Sequence, residues 1–391
     1  MSEKTLRNSV AIVGVGESEI GKVPSMTGLG LNAQAAMRAL DETGLKPSDI
    51  DGVLTAYSFT EPYFMLGSVL CEYLGLKPRY NASLVVGGGS PAVMLKHAAE
   101  AISAGQADTI LICAGENRAS GVSRDSAIKA LLAVGHPYFE QPYGFSIPAF
   151  YAMITARYLH KFNLEREDLA QVPVITREHA LLHPNAHMKT ALSTEQVLSS
   201  KPIASPLTML DCCLLSDAGG AMIVTSPERA KDLKGTPIYL QGIGEFHTHE
   251  HLMCAPSLTE FGAKESSETA YKMAGLGPQD MDFAELYDCF SVVPVLELEE
   301  LGLAKPGEGL EHWTSGAARI GGKLPINTHG GMLSHAHAGA AGGLFGIIEA
   351  VRQLRGGLGA RQVEGAEVGV VHNEGGILSS HCTVILGREM R

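Results

Sequence analysis

A chain of 391 residues is too long for one ordinary core, and 45% apolar against 18% charged residues lets it bury a large one, which excludes a disordered class. A formal net charge of −12 with no Lys/Arg stripe excludes wrapping of a nucleic acid and points to a small-molecule ligand. Seven cysteines, at 71, 113, 212, 213, 254, 289 and 382, form an odd set without a CxxC pair, mostly inside apolar runs, and read as buried thiols. No apolar run reaches membrane length, so the expectation is a soluble, cytoplasmic protein with no membrane or nucleic-acid contact.

In chain order, "SVAIVGV" opens as a continuous apolar strand of the kind covered on both faces. The following "VGVGES" hints at a dinucleotide loop, but the third glycine is missing and Pro24 comes where a helix should begin, so NAD is set aside. An Ala-rich helical pattern leads into "GLKPSDID" (44–51) and a second strand. Then "LVVGGGSPAVMLKHAAEAI" (84–102) meets three glycines, turns and becomes a helix. Its polar stripe is only Lys96, Glu100 and Ser103, so it is buried nearly all round. "DTILICAG" predicts another strand, after which 118–205 breaks the pattern. Two helices are expected there, one with Pro148 in its first turn and one ended by His183-Pro184, forming a lid or ligand-binding insertion.

Beyond the strand "GGAMIVTS" the plan repeats. "GLGPQDMD" (275–282) echoes 44–51 at an offset of 231, and a second Gly-rich turn, helix and strand ("EVGVVHN") echo the first, with Gly357 answering Gly105. The expected fold class is therefore α/β, layered and duplicated, with halves 1–240 and 241–391 and the insertion at about 118–205 in the first.

Three blocks carry chemistry: "NTHGGMLSHAHAGAAGG" (327–343), "AELYDCFS" (284–291) and "VVHNEGGILSSHCTVILG" near the C-terminus. With the duplicated plan they resemble the thiolase superfamily over essentially the whole chain, and most closely its sterol-carrier-protein (lipid-transfer) type. The resemblance implies an α-β-α-β-α layering and places the family's catalytic histidine at His337, between Ala336 and Ala338 where the family usually has Gly and Pro. Tyr287 stands in place of the usual histidine of a His-Asp-Cys-Phe block, Cys289 matches a proton-shuttling thiol, and His372 and Asn373 occupy the position of a cysteine or His-Asn. The family's nucleophilic cysteine falls on Val86. Similar cysteine-free "GGGS" loops occur in thiolase-like aldolases that cleave acyl-CoA side chains together with a small zinc-ribbon/OB-fold partner; a tyrosine implicated there matches Tyr287.

What the resemblance implies is retro-aldol cleavage of a β-hydroxyacyl-CoA without an acyl-cysteine. The alternatives are a thiolase-type acyltransferase working by retro-Claisen reaction on a β-ketoacyl-CoA, and a non-catalytic acyl-CoA-binding subunit of a hetero-oligomer. Coenzyme A enters only as part of the substrate, no cofactor is bound covalently, and a homodimer formed through the sheet edge of the first half is expected.

The residues themselves support the same assignments. An imidazole between small residues on a Gly-rich turn has little to pack against and titrates near neutrality, which suits His337 to proton transfer. A phenol at Tyr287 can donate to a β-hydroxyl or take its proton. Backbone amides at Val86, Gly87, Gly88, Gly375 and Gly376 can hold a thioester oxygen without any cysteine side chain. Ser90 is expected to cap the helix it precedes. His329 and His335 read as structural, and no metal is expected at His247, His249 and His251 despite their alternation in "EFHTHEHLM". Arg118, Arg124 and Lys129 near the insertion could meet CoA phosphates, but solvated charges are the plainer reading.

Overall fold

The computed structural model describes residues 5–123, 125–126, 134–144 and 146–391. Its first half comprises β1 (Ala11–Glu17), α1 (Gly28–Thr43), β2 (Gly52–Ala56), α2 (Leu66–Leu74), β3 (Tyr80–Leu84), α3 (Ser90–Ser103) and β4 (Thr109–Asn117). Two long helices of the intervening segment, α4 (Ile147–Phe162) and α5 (Gln171–Leu182), precede β5 (Asp217–Thr225). The second half repeats the plan with β6 (Ile238–His247), α6 (Ala263–Ala274), β7 (Phe283–Glu285), α7 (Val293–Glu300), α8 (Ala341–Arg355), β8 (Val368–Gly375) and β9 (Ser380–Gly387).

These strands form one nine-stranded mixed sheet in the order β3-β2-β4-β5-β1-β6-β9-β8-β7, and Pro202–Ala204 and Leu207–Thr208 pair separately. Its halves join where β1 and β6 pair antiparallel, Ala11 opposite Tyr239 and Ile12 opposite Ile238. Alternation along each strand decides the layers. Val10 and Ile12 pack into the core built around α3 and α8, whereas Ala11 and Val13 pack against α1. Helices α3 and α8 each touch strands of both halves, so the sheet curls to place its two halves on either side of this helix pair. With α1 and α2 outside one half and α6 and α7 outside the other, the five-layer order is complete. No helix among the described residues is long and apolar enough to cross a membrane.

The internal repeat is preserved at the level of single hydrogen bonds. Gly44 and Gly275 both end their helices in the left-handed region, at φ 73 and 68. In the short turns that follow, the N–H of Lys46 donates to Asp49 and that of Gly277 to Asp280. Asp51 then accepts the N–H groups of Asp108 and Thr109, as Asp282 does those of Glu367 and Val368. Each copy thus ties the turn before its second strand to the start of its next parallel neighbour.

The glycines of "VGVG" also find their reason. A Cβ on Gly14 would sit 2.4 Å from the carbonyl oxygen of Ala39, and one on Gly16 2.2 Å from that of Ala35, so they let α1 lie directly on β1. Pro148 lies in the first turn of α4, and α5 ends at Leu182, where His183 takes an extended conformation ahead of Pro184. The second predicted helix is two: a short Arg166–Leu169 segment precedes α5. Of the cysteines, 71, 113, 289 and 382 are buried, but 212 and 213 are only partly so and 254 is exposed.

Candidate active site

The glycine elbow of residues 85–89 follows β3 and leads straight into α3, so its amides stand at the positive end of a 14-residue helix. It is held shut from within. Ser90 Oγ accepts the N–H of Val86 at 2.9 Å and donates to the carbonyl of Gly87 at 2.8 Å. Ser90 is therefore not the helix cap: Gly89 occupies that position without a side-chain bond, because the hydroxyl is committed to the elbow. The same bond takes the Val86 amide out of any oxyanion hole, leaving Gly87 and Gly88 as the elbow's candidates.

The second half meets the elbow backbone to backbone. A Cβ on Gly375 would lie 2.1 Å from the carbonyl oxygen of Val86, and one on Gly87 2.7 Å from both Gly375 Cα and Gly376 N. Gly88 leaves room for a phenol: a Cβ there would lie 2.0 Å from the Tyr287 hydroxyl oxygen. Val86, Gly87, Gly88, Tyr287, Cys289, His337, Gly375 and Gly376 all line one cavity of about 650 Å³. The rings of Tyr287 and His337 face each other across it at 6.5 Å, nearly perpendicular.

The motif residues around these groups hold them in place. Asp288 accepts the N–H of Met332 at 2.6 Å and faces Gly331, clamping the turn that leads to His337. Asn327, at a positive φ, accepts the N–H of Leu286 at 2.6 Å, which joins the two motif blocks. His329 Nδ1 lies 2.8 Å from Glu285, a buried ion pair consistent with a structural part.

Burial sets the protonation states. His337 is pushed down to about 3 by desolvation and by the Arg118 guanidinium, against the opposing pull of the Leu214 backbone. It is a neutral imidazole at neutral pH, with a buried Nδ1 that has no partner at hydrogen-bonding geometry. Desolvation, with Cys289 and Glu374 nearby, holds the Tyr287 phenol well above its usual value. It is a donor; taking a proton would require a phenolate the site disfavours. The Cys289 thiol is likewise held high by desolvation and Glu374, to which its Sγ donates at 3.3 Å.

Glu374 is the group that sequence reasoning missed. Its carboxyl is buried and pushed up to about 7 by desolvation, while bonds from Tyr151 (2.7 Å), Cys289 and the Leu378 amide hold it from rising further. The signal was present: a carboxylate inside the apolar strand "VGVVHNEGG" needs a reason to be there.

The remaining predicted residues scatter. His372 lies outside the cavity lining, bonded to Thr383 at 2.9 Å and His381 at 3.1 Å. Asn373 donates to the Gly343 carbonyl at 3.1 Å, fastening the start of α8 beside the elbow. His247 lines the cavity and pairs with Glu245 at 2.7 Å; His249 approaches the Ile377 carbonyl and His251 packs on His136. These three do not converge on one point. Arg118, read as a solvated charge, instead lines the cavity with its side chain 9% exposed, 3.5 Å from Glu116. Arg124 and Lys129 lie outside the described residues.

Residues 244–388 match the thiolase C-terminal domain-like family. The chain is 32% identical over 372 residues to the acetyl-CoA acetyltransferase of Methanothermobacter thermautotrophicus, spanning 94% of this chain and 96% of that one. It is 33% identical over 367 residues to the 17-hydroxy-3-oxo-4-pregnene-20-carboxyl-CoA lyase of Mycobacterium tuberculosis, spanning 90% and 92%. A solved Ltp2–ChsH2(DUF35) aldolase superimposes with a TM-score of 0.86 at 31% identity, covering 98% of this chain and 99% of that one. The chain belongs to the thiolase superfamily, among the sterol-carrier-protein-type thiolases and thiolase-like aldolases.

Proposed function

We propose that this enzyme breaks the Cα–Cβ bond of a β-hydroxyacyl-CoA by a retro-aldol reaction in which no acyl-cysteine forms. The observation that carries the reading is the nucleophile-free elbow, with a phenol seated on Gly88 and facing His337 across one cavity. Elbow amides and the α3 N-terminus hold the thioester oxygen, where negative charge develops as the bond breaks. Tyr287 donates to the β-oxygen, and neutral His337 takes the β-hydroxyl proton. The electron pair of the broken bond becomes the enolate and the β-carbon leaves as a carbonyl. Cys289 delivers a proton to Cα, and Glu374, poised near neutrality, restores the thiol. The products are a shortened acyl-CoA and a ketone or aldehyde.

The test is incubation of the purified chain with panels of β-hydroxyacyl-CoA and β-ketoacyl-CoA, with product analysis and intact-mass measurement of the protein. Cleavage of the hydroxy esters with unchanged protein mass is expected. CoA-dependent thiolysis with an acyl adduct would overturn the reading in favour of acyl transfer, the activity named for the archaeal relative.

Two partners belong to the proposal. Strand β3 is the terminal strand of the sheet, and Tyr63, Phe64, Met65, Tyr73 and Val85 beside it are exposed, which supports a homodimer through this edge. The DUF35 subunit named in the similar aldolase complex supports a small second subunit of zinc-ribbon/OB-fold type.

A further inference from the structure

A second cavity, of about 510 Å³, opens between the end of β1 and the C-terminal end of α8, sharing no lining residue with the first. Its lining holds Arg38, Arg352 and Arg361 against Glu17 and Glu42, a positive balance in a chain of formal charge −12. Both glutamates are already engaged. Arg352 lies 3.1 Å from Glu17, and Arg355 2.9 Å from Glu42. Arg38 donates to the Glu17 backbone carbonyl and has no carboxylate partner among the described residues.

Two buried donors on this lining lack acceptors. Arg361, 5% exposed, binds Glu349 through Nη2 at 3.0 Å, yet its Nε has no partner. His183, 2% exposed, accepts the N–H of Asn185 on Nδ1 at 3.1 Å, which puts the proton of the neutral ring on Nε2; that nitrogen too is unpartnered. Unpaired buried donors are expensive to leave unmet, and here they stand on a cavity with arginines.

Glu17, His183 and His335 also bring ligand atoms within 4.8 Å of one another, the spacing of a metal cluster. Two features speak against a cation. A metal-bound histidine donates from its second nitrogen, whereas Nδ1 of His183 accepts. The Arg352 guanidinium beside Glu17 would also stand against the ion.

We propose that this cavity binds a phosphate monoester, its phosphate on the Arg361 donor within reach of Arg38 and away from the Glu17 carboxylate, and its organic part against Leu182, Pro184 and Leu358. Guanidinium forks suit phosphate oxygens, and the volume exceeds what a bare ion fills.

Calorimetric titration of the full chain with glycerol 3-phosphate and with inorganic phosphate at low ionic strength tests this. One site per chain is expected, tighter for the ester and weakened by added salt. Arg361→Lys keeps a cation for Glu349 but removes Nε, and should weaken binding about tenfold or more. Arg38→Gln, at an exposed position that leaves folding intact, should weaken it by a smaller factor, about threefold. No binding of either probe at millimolar concentration, or equal binding by wild type and both variants, overturns the proposal. So does one zinc per purified chain that is lost in His335→Ala, which would assign the cluster to a metal.

Discussion

Gly88→Ala isolates the phenol's position from its identity. The added methyl would lie 2.0 Å from the Tyr287 oxygen and 2.2 Å from Cζ, where real contacts stay above 3.0 Å, so phenol and elbow must separate by about 1 Å. Elbow movement is resisted by the Ser90 bonds and by Gly375 packed on the Val86 carbonyl, so the phenol takes most of the shift. A misplacement of about 1 Å in a reacting constellation lowers turnover about 10²-fold, equivalent to about 2.7 kcal/mol at the transition state. The overpacking itself costs about 1–3 kcal/mol of stability. The assay is turnover of a cleaved β-hydroxyacyl-CoA, read with thermal unfolding, for Gly88→Ala, Tyr287→Phe and the double variant. If the hydroxyl's position is what matters, kcat falls about 10²-fold in the first variant, and adding it to Tyr287→Phe causes little further loss. Unchanged kcat in a folded Gly88→Ala protein, or fully multiplicative effects, would refute the reasoning.

Glu374→Gln should lose activity while gaining stability. Burial raises this acid from 4.5 to about 7, so the folded state resists an ionisation that the unfolded chain completes. The penalty is absent below pH 4.5, grows between 4.5 and 7, and levels off above; the variant should exceed wild type by up to about 3 kcal/mol at pH 8, with the gap closing in acid, as denaturant titrations at several pH values will read. The falling limb of wild-type kcat above about pH 7, where the Glu374 acid is lost, should vanish in it. Ser90→Ala removes the acceptor of the Val86 amide and the donor to Gly87, and should cost about 1–3 kcal/mol in unfolding experiments and lower kcat with it. Phe64→Asp replaces a fully exposed ring beside the β3 edge with a charge, and sedimentation should show the proposed dimer for the wild type and a monomer for the variant.

The duplicated plan was legible because its markers are local: a glycine that must take a positive φ, a proline after it and an aspartate at a fixed distance recur wherever the same turn is built. The candidate groups Tyr287, Cys289 and His337 were legible because they sit inside motif blocks, and they line a common cavity. What a linear reading could not supply was competition for hydrogen bonds. Ser90 looked like a helix cap because serine before an apolar helix usually is one; that its hydroxyl turns back onto Val86 depends on the elbow's three-dimensional course. Arg118 looked solvated because nothing near it in sequence shows that Phe59, almost sixty residues earlier, folds over it while Glu116 turns in beside it. His372 looked functional by position, yet strand alternation turns its ring towards Thr383 and His381.

The absent cysteine and the placed tyrosine meet at one elbow: Val86 offers no nucleophile, and the phenol sits over Gly88 two residues on. Here the phenol reaches down until its oxygen occupies the place a side chain on Gly88 would take, while the Gly375 turn closes from the other side. The amides and the helix end proposed to stabilise an enolate are backbone features and need no thiol at Val86, whereas covalent catalysis would. The chemistry left to such a site is proton transfer around a polarised thioester, and that is the chemistry for which a neutral imidazole, a neutral phenol and a carboxyl near pH 7 are equipped.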